Sequence, residues 1–216
     1  MYLAEIWRYP VKSMGGERLP SAGLGFDGIF GDRVVHVMDA RGRRITARTR
    51  PALLGHKAVL GPDNEPVVDG RSWDSAEVKA DVIAAAGPGC RLVRDDSPEG
   101  RYDILPLLLA TDGAIAEVGV DSRRFRPNLL IGGVKGLEER DWEGKTLRIG
   151  EVLIASADLR GRCIMTTFDP DTLEQDTGVL RRIQRDFDGV LGLNCSVLRP
   201  GIVREGDTVE VVDGST

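Results

Sequence analysis

Apolar and polar side chains alternate in short runs along most of the chain, the period of two that is typical of strands with one buried face. The turn between the second and third runs contains Gly42, which favours a hairpin because glycine accepts a positive φ. Pro127 falls inside another run and indicates an edge strand or a bulge, because proline cannot donate to a sheet ladder. The pattern predicts strands over 2–7, 33–38, 44–48, 56–60, 91–94, 125–131, 146–149, 152–157, 192–198 and 208–212.

Three segments have helical character instead. Residues 78–86 end at Gly87, which stops a helix. Residues 112–118 follow Thr111, whose hydroxyl can cap the first turn. Residues 179–187 repeat their apolar side chains on one face, as an amphipathic helix does. The chain is therefore expected to be mainly β and barrel-like, with a few short helices.

The run of acidic, proline and glycine residues over 95–100 is the best candidate for a linker. It divides the chain into a smaller N-terminal β domain, residues 1–100, and a second domain, residues 101–216. The pattern leaves open whether the first strand pairs within its own half or joins the sheet of the second half.

Charge and cysteine content exclude several classes of protein. The chain has 216 residues with 29 Lys and Arg against 34 Asp and Glu, a net charge of −5. A general nucleic-acid binder needs clustered cations, so no nucleic-acid partner is expected. The longest apolar run, 105–110, is too short to span a bilayer, and no signal peptide is evident. Three cysteines argue against a disulfide scaffold, and we expect a cytoplasmic protein without a membrane partner.

Several apparent motifs lack the neighbouring elements or residues that their function requires. Residues 23–28 match G-x-G-x-x-G, but a predicted strand follows where the dinucleotide fingerprint needs a helix. Residues 144–146 resemble the end of a phosphate-binding loop, but Glu139 stands where that loop needs glycine. His36 and His56 have no second ligand at metal-binding spacing. These residues are interpreted as turn and structural positions.

Four stretches place polar or cationic side chains at the ends of predicted strands. They are residues 9–13, 31–33, 124–128 and 162–171. Side chains at strand ends can converge at the mouth of a barrel, where small molecules commonly bind. We therefore expect these stretches to share one site.

The same stretches resemble the MOSC family, named for the C-terminal domain of molybdenum cofactor sulfurase, together with its N-terminal β-barrel domain. The motifs YPVKS, GDR, TAR, RFRPN, W-x-G-x-x-L-x-I-G, RC-x-x-TT-x-DPDT and PG-x-x-x-x-GD-x-V follow one another in the family's order. The subgroup it resembles most is the amidoxime-reducing molybdenum proteins and their bacterial relatives. The resemblance implies a β-barrel-like MOSC domain, a molybdenum–molybdopterin cofactor and, among the family's properties, pyridoxal phosphate binding.

The resemblance also implies roles for individual residues. Cys163 would be the metal ligand and catalytic residue, since a thiolate suits a soft metal centre. Cations and amide or hydroxyl groups would bind the anionic pterin and its phosphate. Without the family pattern, these side chains would be interpreted as surface charges, a turn serine, a helix cap or a buried cysteine. The predicted cofactor-binding residues are Lys12, Ser13, Arg33, Thr111, Arg126, Asn128 and Arg162. The sequence departs from the family's pattern at Asn194, where relatives carry an aromatic side chain.

The sequence is compatible with three functions. The first is an oxidoreductase that removes oxygen from an N–O bond of a small N-hydroxylated substrate, with electrons from a separate reductase. The second is a sulfur-carrier or cofactor-handling protein that holds a persulfide on Cys163. The third is a protein that binds the cofactor without catalysis.

Overall fold

An eight-stranded sheet assembled from both ends of the chain forms the centre of the protein. The computed structural model describes residues 1–212, apart from the side chains of Pro98 and Glu99; the last four residues of the predicted second domain lie outside it. The strands are β1 (Tyr2–Arg8), β2 (Glu17–Leu19), β3 (Ser21–Gly25), β4 (Gly28–Ile29), β5 (Val35–Met38), β6 (Arg44–Ile45), β7 (Ala58–Leu60), β8 (Pro66–Val68), β9 (Arg71–Ser72), β10 (Arg91–Arg94), β11 (Leu107–Thr111), β12 (Leu129–Gly132), β13 (Thr146–Ile149), β14 (Val152–Gly161), β15 (Val190–Arg199), β16 (Gly201–Arg204) and β17 (Val209–Val212). The helices are α1 (Ala76–Ala86), α2 (Pro98–Arg101), α3 (Asp112–Val118) and α4 (Thr177–Asp186).

The central sheet has the order β17-β13-β14-β15-β11-β12-β1-β2. Strands β11 and β12 run parallel because α3 connects them, whereas the other neighbours are antiparallel. The sheet curls so that the start of β1 reaches its far edge, where Tyr2 bridges Thr208 and Leu3 N donates to Asp207 O at 2.9 Å. Within residues 1–212 this contact does not close the ladder into a barrel.

The first half of the chain adds two three-stranded sheets, β10-β5-β6 and β7-β8-β9. They pack with α1 around a second apolar core that includes Val35, Leu53, Val78 and Val82. A further sheet, β16-β3-β4, joins the two halves, because β16 from the second half pairs with β3 from the first.

The prediction of a mainly β chain with a few short helices is confirmed. All three predicted helices are present, and Thr111 caps α3 by accepting a hydrogen bond from Ala114 N. The first strand belongs to the central sheet and so joins the second half. None of the helices within residues 1–212 has the length and apolarity needed to cross a membrane.

The strand predicted over 125–131 is wrong at its N-terminal end. Residues 122–125 form a 3-10 helix, Arg126 has a φ of 56°, and β12 begins only at Leu129. Pro127 therefore precedes the strand and marks neither an edge nor a bulge, since β12 lies between β11 and β1. The returning strand predicted over 44–48 is also shorter, with Arg44–Ile45 alone pairing with β5.

The packing of the central sheet predicts how a core substitution changes the free energy of unfolding. Leu109, on β11, is fully buried between β12 and β15. We expect Leu109→Ala to lower the free energy of unfolding by about 2–5 kcal/mol, because it removes apolar contacts and leaves a cavity. Urea denaturation measures this change. Leu198→Ala is the control; Leu198 lies on β15 but is 51% exposed, and a loss as large as that of Leu109→Ala would contradict the packing described.

Candidate functional site

A cavity of about 130 Å³ lies where the two halves of the chain meet. Both halves contribute to its wall, the first from the loop after β1 and the turn before β5, the second from the ends of β12 and β14. Of the predicted site residues, Thr111 does not line this cavity. The structure brings the others together in it: Lys12, Ser13, Arg33, Arg126, Asn128, Arg162 and Cys163.

Three lining residues have a left-handed backbone that side chains rarely adopt. Ser13 has a φ of 73°, Arg33 of 55° and Arg126 of 56°. Such a conformation costs on the order of 1 kcal/mol or more at a non-glycine residue and persists only where the surrounding structure imposes it. Arg33 lies just before β5 and Arg126 just before β12, whereas Ser13 lies in the loop between β1 and β2.

Positive charge dominates the cavity, although the whole chain is acidic. Seven cationic side chains line it against a single carboxylate, that of Asp103. Asp103 accepts from Lys12 Nζ at 2.7 Å and Arg48 Nη2 at 2.5 Å, and lies 3.5 Å from Arg160 Nη2. Burial alone would raise the pKa of Asp103, but Lys12 and Arg48 outweigh burial and hold it well below its usual value. Burial lowers the pKa of Lys12.

Arg33 and Asn128 are held by the protein itself. Arg33 pairs with the buried carboxylate of Asp32 and donates to Asn128 Oδ1 at 3.2 Å. The Asn128 amide donates to Trp7 O at 3.2 Å, and its Oδ1 also accepts from Leu108 N at 3.2 Å. Asn128 thus ties β1 to the strands beside it.

Arg126 and Arg162 are different, because part of each guanidinium has no partner. Arg126 lies 4.3 Å from the centre of the Tyr9 ring, and its Nη2 is buried without a hydrogen bond. Arg162 Nη2 donates to Phe125 O at 3.0 Å, but Nε is likewise buried and unpaired. Burial lowers the pKa of Arg126 to about 10 and that of Arg162 to about 9.

Buried donors without partners are rare, because leaving them unpaired costs free energy. Here the unpaired atoms belong to cations that line a cavity, so a bound anion would satisfy both their charge and their hydrogen-bonding capacity. This donor set fits the anionic pterin and phosphate of a molybdopterin.

Cys163 is the cysteine that lines the cavity, where it is half-buried. It follows β14 and begins the short 3-10 helix Ile164–Thr167, with its carbonyl oxygen accepting from Thr166 Oγ1 at 2.9 Å. Cys90 and Cys195 are buried outside this cavity, and burial raises the pKa of Cys195 to about 12. A soft ligand for a metal is therefore available at one position of the wall.

Thr111 takes part in a separate buried network. Its hydroxyl donates to Glu139 Oε2 and caps α3, while Glu139 Oε1 accepts from Gly192 N at 3.2 Å. Burial raises the pKa of Glu139. This network joins the end of β11 and the start of α3 to Gly192 on β15.

Sequence reasoning assigned no role to several polar lining residues. Arg48 and Arg124 lie inside motifs that were recognised, TAR and RFRPN, so their positions carried a signal. Asp103 and Arg160 lie in no such motif, and folding alone brings Asp103 beside Lys12 and Arg160 close to Asp103. The polar lining residues without an assigned role are Thr46, Arg48, Tyr102, Asp103, Arg124, Arg160, Thr166 and Asn194.

Comparison with known proteins identifies relatives along nearly the whole chain. The MOSC domain family matches residues 108–210, and the MOSC N-terminal beta barrel domain matches residues 1–98. Mitochondrial amidoxime reducing component 2 from Bos taurus is 34% identical over 79% of this chain and 67% of that protein. Molybdenum cofactor sulfurase from Anopheles gambiae is 27% identical over 87% of this chain and 33% of that protein. The YUAD protein from Bacillus subtilis shares the fold, with a TM-score of 0.50 at 14% identity over 99% of this chain and 96% of that one.

The unpaired charge of Arg126 leads to opposite effects on stability and on ligand binding. Arg126→Met replaces the guanidinium by a shorter, unbranched apolar side chain and removes the charge. We expect the cofactor-free variant to be about 1–3 kcal/mol more stable than wild type, because a desolvated cation is replaced by an apolar group. The same variant should retain less pterin after purification from a host that makes the cofactor. A less stable variant with unchanged pterin content would contradict the anion-binding role.

The depressed pKa of Asp103 leads to a pH-dependent prediction. Its contribution to the free energy of unfolding is fully present above the ordinary carboxyl pKa of 3.8 and is lost as the pH falls below it. We expect Asp103→Asn to be about 1–3 kcal/mol less stable at neutral pH, with the difference shrinking in acid below about pH 4. Urea denaturation across this range measures both effects.

Glu210→Gln is the matched control for Asp103→Asn. The Glu210 carboxylate lies 3.8 Å from Arg148 in an exposed pair. Its loss should change stability by less than about 1 kcal/mol. If the free energy of unfolding depended on pH equally in the two variants, the effect could not be assigned to Asp103.

Proposed function

Since the chain belongs to the MOSC domain family, we propose that it is a molybdenum-cofactor-dependent oxidoreductase that reduces N-hydroxylated small molecules. One observation carries the proposal. The unpaired guanidinium donors of Arg126 and Arg162 line the same cavity as the half-buried thiol of Cys163. Anion binding and metal ligation, the two requirements of a molybdopterin, thus meet in one place.

In this proposal different residues of the cavity wall would bind different parts of the cofactor. Arg126 and Arg162 bind its anionic groups with the donors that the protein leaves unpaired. Lys12 adds positive charge, and Ser13 adds a hydroxyl to the cavity wall. The Cys163 thiolate ligates the metal. When bound, the cofactor supplies the redox chemistry of molybdenum.

Arg33 and Asn128 act through the geometry of the wall. Because Asp32 and the backbone of β1 already hold them, their side chains keep a fixed position when a ligand enters. Fixed donors lose little conformational entropy on binding. Thr111 stabilises α3 from outside the cavity, so we assign it to the support of the sheet.

The reaction breaks the N–O bond of the substrate. An amidoxime takes up two electrons and two protons, and it yields the corresponding amidine and one water molecule. The electrons come from a separate reductase, which we propose as the protein partner. The protein contributes the orientation of the substrate and a positively charged, partly dehydrated site.

A second candidate function is sulfur transfer. A persulfide on Cys163 would be stabilised by the guanidinium of Arg48, and this function needs no bound metal. The similarity to a molybdenum cofactor sulfurase favours keeping this alternative. Pyridoxal phosphate binding, a cytoplasmic location and a division into domains at 1–100 and 101–216 stay predictions.

Replacement of Cys163 tests the function directly. Protein from a host that makes the cofactor should contain molybdenum and pterin equimolar with the chain and should reduce an amidoxime with a chemical electron donor. We expect Cys163→Ser to lose at least about 100-fold in turnover, because the hydroxyl is a poor ligand for a soft metal. Metal analysis, pterin fluorescence and single-turnover assays measure these quantities.

Cys90→Ala, which changes a buried cysteine outside the cavity, serves as the control. Full molybdenum content and full turnover in Cys163→Ser would overturn the ligand assignment. A molybdenum-free wild-type protein that carries a cyanide-labile sulfur on Cys163 would favour sulfur transfer. A protein that holds one cofactor per chain but has no reductase activity would be a cofactor-binding protein without catalysis.

A further inference from the structure

The cations of the cavity lie at two depths. Arg126 and Arg162 hold buried, unpaired nitrogens. Arg48 and Arg160 are more open, with side chains 42% and 18% exposed, and they occupy the mouth. A substrate that enters from solvent therefore passes these two guanidiniums before it reaches the deeper pair.

Both mouth arginines line the cavity together with Cys163. Burial lowers the pKa of Arg48, but the Cys163 sulfur and the Asp103 carboxylate outweigh burial and raise it. Arg160 also interacts with the Cys163 sulfur through its charge, while burial lowers its pKa. Arg48, Arg160 and Cys163 thus line the same cavity.

The mouth keeps surplus positive charge. Asp103 is the one carboxylate of the cavity wall, and Lys12, Arg48 and Arg160 share it. Its closest contacts are with Lys12 and Arg48, whereas Arg160 lies farther away at 3.5 Å. One negative charge cannot neutralise three positive ones, so the mouth attracts a further anion.

The guanidinium of Arg160 is also held in place. Its Nη1 donates to Asn194 Oδ1 at 3.1 Å. The amide nitrogen of Asn194 in turn donates to Asp158 Oδ1 at 3.2 Å, which fixes which side of the amide faces Arg160. A guanidinium fixed in this way is well suited to bind a planar oxyanion through two hydrogen bonds.

We propose that Arg48 and Arg160 form a clamp for an anionic group of the substrate, so that the site prefers N-hydroxylated compounds that also carry a carboxylate or a similar oxyanion. This inference rests on the proposed function, because it assigns the substrate class of the same site. The deeper cations would hold the cofactor, and the clamp would hold the anionic group of the substrate within the same cavity. Arg48 and Arg160 therefore determine specificity.

The test compares two substrates that differ by one charge, an aromatic amidoxime and the same amidoxime with a ring carboxylate. Wild-type holoenzyme should show a KM for the carboxylated compound at least about tenfold below that for the neutral one, as expected for a charge-assisted pair. Arg160→Gln and Arg48→Gln should each abolish most of this preference. Arg160→Lys should restore part of it, because the charge returns without the planar fork. Added salt should weaken the preference.

Arg148→Gln is the matched control, since Arg148 lies on β13 outside the cavity and should leave both KM values unchanged. Molybdenum and pterin content are measured for every variant. Loss of the cofactor from Arg160→Gln would assign this residue to the cofactor and overturn the clamp. An equal rise of KM for both substrates would show a structural role and overturn it as well.

The design separates this inference from the proposed function. If wild-type protein reduces neither compound, calorimetric titration of the purified protein with both amidoximes still measures their affinities. Tighter binding of the carboxylated compound, lost in Arg160→Gln, would support the clamp while the reductase proposal fails. Equal affinities would overturn the clamp.

Discussion

The central physical constraint of this protein is positive charge that its own residues do not neutralise. Arg126 and Arg162 hold buried nitrogens without hydrogen-bond partners in a cavity that contains one carboxylate. Aromatic contacts with Tyr9 and Phe125 offset part of the cost of burying these cations. The remaining cost is what gives an incoming anion its binding energy, so the cofactor-free protein is less stable than its packing alone would make it.

The sheet makes this arrangement possible. Its strands end at the cavity from different directions, and the turns beyond them hold Ser13, Arg33 and Arg126 in backbone conformations that an isolated peptide would avoid. The large apolar core beneath the turns outweighs this local strain. Stability thus resides in the sheet, while binding resides in the loops that the sheet supports.

The residues of the site that follow strands in local motifs could be predicted from the sequence. Lys12 and Cys163 are examples, because a short segment places each one at a strand end. Asp103 could not be predicted, since its partners Arg48 and Arg160 lie far apart in sequence and meet only in the folded chain. The start of β12 was missed because nothing in the local pattern signals a left-handed backbone at Arg126. Long-range pairing, such as that of β3 with β16, is likewise invisible to periodicity.

The interleaving of the two halves affects how the chain must be made. During synthesis β1 emerges first, but its neighbour β12 emerges more than half the chain later. Likewise, β16, which pairs with β3, is made only near the C-terminus of the chain. The nascent front half therefore leaves the ribosome with unpaired strand edges and apolar side chains that nothing yet covers. Such intermediates are prone to aggregate and are typical clients of chaperones. The topology that forms one shared cavity in the folded protein thus leaves apolar surface of the nascent chain exposed until translation is almost complete.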